Sequence, residues 1–309
     1  MRGRAFAAGG HWLHEQTSLG NLLIPLGGAA ATPSGVTLET QVDPVTTDIE
    51  WEKWGARDPY FGVLTDPKYR ATALTDAARE EFFALGRHHV DHVLGLCRAH
   101  IDGAFAPQRV LDFGCGVGRL VLPFAARAAE VVGVDISPSM LAEAQRNCEQ
   151  QGLNNVVLAL SDDTLSAVQG HFDLVHTCIV IQHIEVDRGL KLFEQLVQRI
   201  APGGLGALQV TFACEHHAAN HGVAPTPLPS VPQPWWSSTR RALGIWARGP
   251  AIPAAAAADV PEADPEMQMN FYNMSQLLFV LQQAGAGMVH TQLTDHGGAI
   301  GAFMFFRRS

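Results

Sequence analysis

The chain has 309 residues, 47% hydrophobic and 17% charged, with a formal charge of −9 from 30 acids and 21 bases. That composition excludes a disordered tail or a coiled coil, and the length is enough to bury a sizeable core. The acidic balance argues against a general nucleic-acid binder, which needs a basic face to displace counterions.

Residues 1–50 are rich in Gly, Ala, Thr and Pro without periodicity. Residues 51–70 are aromatic but punctuated by Asp-Pro pairs, which predicts a short ordered arm with turns rather than a long element. From Thr75 the pattern turns helical: Thr75 or Asp76 can cap, and Phe82, Gly86, Val90, Val93, Cys97 and Ile101 fall on one stripe. Short apolar runs then alternate with helical segments. Strands are predicted at Val110–Phe113, Val131–Val134, Val156–Leu160, Phe172–Thr177 and Leu205–Phe212. Helices are predicted over 119–129, 138–151 and 186–200, with Ser137 capping the second and Pro138 at its first position. Strand–helix alternation with apolar strands argues for a parallel sheet covered on both faces.

Residues 213–265 break the pattern with His216, His217, His221, five prolines between 225 and 234, and the Trp235-Trp236 pair. An irregular stretch of that length is expected to be functional or disordered. A helix near Met274–Ala284 follows, and the runs Met288–Leu293 and Ala302–Phe306 are expected to pair as a hairpin around His296-Gly-Gly298. The cysteines, Cys97, Cys115, Cys148, Cys178 and Cys214, are odd in number and form no CxxC pair, which reads as reduced thiols in a cytoplasmic protein. No run of 18 apolar residues occurs, so no membrane span is expected. His11, His14 and Glu15 interrupt the apolar stretch that an export signal would need after Arg4.

The strongest chemical signal is Val110-Leu-Asp-Phe-Gly-Cys-Gly-Val-Gly-Arg-Leu120, a strand that runs into Gly114, Gly116 and Gly118 and then a helix start. Glycines allow a tight path and close approach of a ligand to the backbone, and the helix start leaves N–H groups free. Asp135, 17 residues past Gly118, ends the second strand, where a carboxylate facing an open cleft can accept both hydroxyls of a ribose. A nucleoside-containing ligand follows, though which one does not. A dinucleotide fold prefers GxGxxG, whereas the spacing here is GxGxG, and Asp112 before the loop suits a cationic ligand end better than a pyrophosphate.

Together the segments VLDFGCGVGRL, VVGVDISPSMLAEAQRN, FDLVHTCIVIQHIE and RIAPGGLGALQV resemble the ordered motifs of class I S-adenosylmethionine (SAM)-dependent methyltransferases, over about residues 105–212. The resemblance implies an α/β three-layer Rossmann-like sandwich. Its seven-stranded, mostly parallel sheet has order 3-2-1-4-5-7-6 with strand 7 antiparallel. Residues 1–104 would be an arm and helix covering the core, and 105–309 the methyltransferase domain, with 213–265 as a lid or substrate insertion. It also implies SAM as cofactor. Asp112 with Gly114, Cys115, Gly116 and Gly118 would hold the methionine part, and Asp135 the ribose. Ile136 and Met140 would pack near the adenine, Asp162 or its neighbour Asp163 would accept the adenine amino group, and Cys178 and Ile179 would lie near the sulfonium. Arg119, which the family tolerates after the glycines, otherwise reads as a first-turn surface residue.

A hydroxyl or amine acceptor must lose a proton, and His is the usual base near neutral pH. His183, after the fourth strand, is the first catalytic candidate; a loop-holding role is the competing reading. Tyr272 and His296 rank behind it, and packing or turn roles compete for both. Trp51, Trp54, Tyr60 and Phe61 would wall the pocket or clamp the arm on the core. His88 and His92 are spaced like a metal pair but lack a third ligand, and Cys214 with His216, His217 and His221 is a weak zinc pattern, so no metal is expected. The expected function is methyl transfer to an O or N atom, or a C atom, of a small-molecule acceptor, with no nucleic acid or membrane as partner. Alkyl transfer or cyclisation on the same fold, a nicotinamide enzyme and a non-catalytic SAM-binding module are the alternatives.

Overall fold

A computed structural model describes residues 46–214 and 263–309, all within the unit Asp43–Ser309. The expectations for residues 1–45, for His216, His217 and His221 and for Trp235-Trp236 lie outside the described residues. The apolar runs form β1 (Arg109–Phe113), β2 (Glu130–Asp135), β3 (Val156–Leu160), β4 (Phe172–Thr177) and β5 (Ile200–Cys214). These five pair in parallel, while β7 (Ala299–Arg307) runs antiparallel to β5 and to β6 (Val289–Asp295). The order is β3-β2-β1-β4-β5-β7-β6, as the resemblance implied.

Helices cover both faces of the sheet, which is why β2 reads as a near-continuous apolar run, Val131–Val134, rather than an alternating one. On one face, α6 (Val186–Gln198) and α7 (Met274–Gln283) bury Phe193, Leu196 and Leu277 against Phe172, Leu208 and Phe306. On the other, α3 (Asp76–His100), α4 (Val121–Ala125) and α5 (Pro138–Gln150) bury Val90, Cys97, Phe124 and Cys148 against Val110, Leu205 and Phe305. Each such large side chain contributes roughly 1.5–3 kcal/mol by leaving water. Local signals set the helix starts. Ser137 Oγ accepts from Met140 N at 3.1 Å, Thr75 Oγ1 from Ala78 N at 3.2 Å, and Glu185 from Arg188 N at 3.2 Å.

Three elements differ from expectation. Residues 46–57 form a 12-residue helix, α1 (Thr46–Arg57), followed by the short α2 (Pro59–Val63). The Asp58-Pro59 step only bends the arm, and Trp54, Tyr60, Tyr69, Phe82 and Met140 form a third apolar cluster beneath it. The helix expected over 119–129 shrinks to α4. Pro123 has no N–H to give the Arg119 carbonyl, so helix geometry begins only past that residue. Strand β5 begins at Ile200, which pairs with Phe172. Pro202, Gly203 and Gly204 sit in an irregularity of that strand, and Gly203 N donates to Arg308 O at 2.8 Å.

Candidate active site

The glycine loop leaves β1 in left-handed backbone, with φ of +72° at Gly114, +52° at Gly116 and +82° at Gly118. A side chain at Gly114 would collide with Val180 beyond β4, and a Cβ at Gly116 would lie 2.7 Å from Val63 Cγ2 of the arm. The loop is thus pressed between two other segments, which only glycine permits. Asp135 ties it down: Oδ2 accepts from Gly116 N at 2.8 Å and Oδ1 from Ser137 N at 2.9 Å. Asp135 is 9% exposed, so it does not stand in an open cleft. Burial pushes its carboxyl up to about 6 even though these backbone N–H groups favour the charged form. Each carboxylate oxygen keeps a second lone pair for a further donor.

Above the loop lies a cavity of about 620 Å³. Asp112, Gly114, Cys115, Gly116, Asp135, Ile136, Met140, Asp162, Asp163, Cys178, Ile179 and His183 line it; Gly118 does not and instead turns the chain into α4. The arm closes one side with Thr47, Trp51, Val63 and Leu64, and Met267 and Met269 line another part of the wall. Glu52 of the arm accepts from Ser137 Oγ and Ser139 Oγ, both at 2.6 Å, which fastens α1 to the start of α5.

Two opposite charges face the cavity without pairing. Asp112 is buried; its Oδ1 accepts from His176 Nδ1 at 2.8 Å, and its Oδ2 has no partner. Arg119 is 7% exposed and lines the cavity rather than the surface, and its Nε has no partner. Burial pushes the Arg119 guanidinium below its ordinary range, against the pull of Cys178 and Asp112. The sequence signal for Arg119 was its place directly after the last glycine, where the short α4 leaves it in the loop.

The acids after β3 are already engaged. Asp162 Oδ1 accepts from Thr164 N at 2.8 Å, Thr164 Oγ1 at 2.9 Å and Ser166 N at 3.0 Å, and Oδ2 accepts from Ser166 Oγ. These bonds hold its carboxyl below the usual range. Asp163 accepts from Arg188 Nε at 2.7 Å, and Arg188 also grips Asp48 of the arm. Both acids are exposed at the cavity mouth. Cys178 lies on the wall, its thiol pushed up to about 12 by burial. Ile179 has φ of +60°, a strained conformation for a β-branched residue, and its N–H donates to Gln209 Oε1 at 2.9 Å.

His183 stands in a short 3-10 turn, Ile181–His183. Its Nδ1–H donates to Gln268 O at 2.7 Å, which leaves Nε2 as the basic nitrogen, with Gln182 Nε2 3.4 Å away. Trp51 packs on the ring with centroids 4.9 Å apart. Burial lowers the His183 pKa, with the Gln268 bond opposing. Tyr272 is elsewhere: it is not among the residues lining the cavity, and its hydroxyl lies 2.9 Å from Ile181 O and 2.7 Å from Ile184 O. It holds the turn that carries His183. His296 and Gly297 reach the cavity from the β6–β7 hairpin. His88 is exposed and His92 bonds Gln292 Oε1 at 2.8 Å. Among the described residues no group of three or more His, Cys, Asp or Glu could hold a metal ion.

A glycine loop at the carboxyl edge of a doubly wound sheet, with an acid closing the next strand, defines a nucleoside-binding α/β domain. Residues 110–204 match the family model described as a methyltransferase domain. The chain is 34% identical over 101 residues to a ubiquinone biosynthesis O-methyltransferase of Cereibacter sphaeroides, covering 33% of this chain and 40% of that protein. It is 47% identical over 57 residues to a 23S rRNA (uracil(1939)-C(5))-methyltransferase of Shewanella amazonensis, covering 18% and 13%. The chain thus spans less than half the length of these curated relatives. The crystal structure of a magnesium protoporphyrin IX methyltransferase from Synechocystis PCC 6803 with bound SAM superposes with a TM-score of 0.50 at 18% identity. That match covers 86% of this chain and 99% of the other, and it shows the shared fold. Residues 110–204 are thus a methyltransferase domain by the family model, on the fold that this SAM-bound enzyme shares. No helix of the described residues is long and apolar enough to cross a membrane.

Proposed function

We propose that this protein transfers the methyl group of SAM to an oxygen or nitrogen atom, or a carbon atom, of a small-molecule acceptor, with His183 as general base. The observation that carries the reading is a pair of partnerless polar atoms on two oppositely charged residues of one cavity: Asp112 Oδ2 and Arg119 Nε. A site holding a buried acid and a buried base that do not neutralise each other suits a zwitterionic amino-acid tail. The ammonium would take Asp112 and the carboxylate Arg119, with the glycine loop close beneath. Asp135 at the end of β2 has lone pairs left for ribose hydroxyls, and Ile136 and Met140 give an apolar wall for a base. The volume of about 620 Å³ lies within the usual range of small-ligand sites.

When bound, SAM supplies an electrophilic methyl group. The chain's own part is positioning, water exclusion and proton removal. Trp51, Val63 and Leu64 roof the cavity, while Met267, Met269, Val180 and Ile184 supply apolar wall. His183 lines the same cavity and would act through Nε2, because the Gln268 carbonyl holds the proton on Nδ1; the acceptor would take the place of Gln182 Nε2, 3.4 Å from that nitrogen. Tyr272 serves as the support of that turn. We also assign residues 1–104 to an N-terminal region, of which residues 46–104 pack on the core, and 105–309 to the methyltransferase domain. Residues 213–265 would choose the acceptor: they leave the end of β5 at Cys214 and return just before Met267 and Met269 on the cavity wall. The five cysteines are free, which supports a cytoplasmic setting. Incubation with methyl-labelled SAM and a small-molecule extract tests the proposal. Labelled small molecules are expected, whereas label only in RNA, or release of methylthioadenosine without methylated product, would overturn it.

A further inference from the structure

We infer that His176 and His89 are a positioning pair that fixes the Asp112 carboxylate as the docking point for a ligand ammonium. The inference rests on the proposed SAM site and deepens it. His176 lies in β4 at the position that pairs in register with Asp112 of β1, so the two side chains leave adjacent strands on the same face. A fully buried imidazole follows the apolar pair Leu174-Val175 in the middle of the sheet. Its Nδ1–H donates to Asp112 Oδ1 at 2.8 Å. Its Nε2 lies 3.1 Å from Nε2 of His89 on α3, so a single proton is shared along that line.

The remaining contacts allow the His176 ring little rotation. Its centroid is 5.2 Å from His89, 5.3 Å from Phe124 and 5.9 Å from Phe303, and His89 itself stacks on Phe303 at 5.8 Å with an interplanar angle of 17°. Burial, then the neighbouring His176 and Arg119, push the His89 pKa down to about 2, so His89 is neutral. With Nδ1–H of His176 facing the carboxylate, one proton lies between the two Nε2 atoms and joins His89 to the line. The whole line then runs from α3 through β4 to β1.

The consequence falls on Asp112. An aspartate carboxylate turns broadly about its last torsion. With Oδ1 held by His176, the partnerless Oδ2, buried beside the cavity, is kept from turning toward the Arg119 charge. The methionine tail then meets a carboxylate already oriented, which reduces the ordering that binding must supply. Neither His176 nor His89 lines the cavity; both act through Asp112, which does, and are positioning residues.

The test compares S-adenosylhomocysteine with 5′-methylthioadenosine, which keeps the adenosine and thioether but lacks the amino-acid tail. Binding of both is measured by calorimetry to the full-length wild type and to His176→Leu, His176→Asn and His89→Phe. Losing one charge-assisted hydrogen bond in the line should weaken S-adenosylhomocysteine about 10- to 100-fold in His176→Leu, and methylthioadenosine less than about twofold. His176→Asn, whose amide N–H sits near the lost Nδ1–H, should restore S-adenosylhomocysteine to within about fivefold of wild type. His89→Phe should show the same ligand selectivity at smaller size, and it carries the test if His176→Leu does not fold. Equal weakening of both ligands in folded protein, or unchanged S-adenosylhomocysteine affinity, would overturn the inference. A wild type that binds neither ligand would instead overturn the SAM reading on which it stands.

Discussion

His89 makes a quantitative prediction about acid stability. In the folded chain burial and the neighbouring His176 hold its pKa at about 2, against 6.5 for an ordinary histidine. Above pH 6.5 neither folded nor unfolded chain protonates it, and stability is unaffected. Below 6.5 the unfolded chain takes up a proton that the folded chain refuses, so stability falls by about 1.4 kcal/mol per pH unit. At pH 5 the loss comes to about 2 kcal/mol, and any folded value below about 4 yields nearly the same figure. The perturbation is His89→Phe, which keeps a ring stacked on Phe303 but cannot titrate. Urea unfolding of both proteins at pH 7 and pH 5 isolates the term. The titration of every group that does not touch His89 cancels in the second difference, and the double variant with His176→Leu gives the part that belongs to His176. The stability of the variant relative to wild type should rise by about 2 kcal/mol between pH 7 and pH 5. A relative stability that does not move would refute the assignment of His89 as a neutral group inside the fold.

Two further outcomes are expected. Arg119→Met should raise the urea midpoint of the ligand-free protein, because it removes a buried charge without a partner. The same change should weaken S-adenosylhomocysteine about 10- to 100-fold; calorimetry showing wild-type affinity would remove Arg119 from the pocket. His183→Ala should lower kcat by about 10²- to 10⁴-fold while leaving S-adenosylhomocysteine affinity intact. Because burial lowers the His183 pKa, wild-type kcat should hold as pH drops below 6.5 and decline only further down. A kcat profile falling with an apparent pKa of 6.5 or higher would speak against His183 as the base.

Much of this molecule is written locally. Strands β3 and β4 begin and end where their apolar runs do, and Ser137 and Glu185 cap the helices they precede. The proposed nucleoside site, the glycine loop with Asp135, was legible because GxGxG spacing and a strand-end acid are features of short stretches of chain. The departures come from contacts the spacing does not contain. The arm reads as turns between Asp-Pro pairs, yet it becomes the helix α1 because Trp54 has the apolar cluster with Phe82 and Met140 to pack against. Asp162 reads as an adenine acceptor, but Thr164 and Ser166 return to its carboxylate first.

Sequence alone determined the succession of strands and helices from Thr75 onward and the place of the glycine loop, since these follow from backbone freedom and apolar periodicity over short spans. Only the tertiary structure decided that Arg119 faces inward, that Tyr272 braces a turn rather than lining the cavity, and that His176 meets Asp112. The last pair is separated by 64 residues and joined only by strand register. Side-chain roles of that kind depend on which neighbour the fold delivers to within about 3 Å, and no pattern along the chain carries that distance.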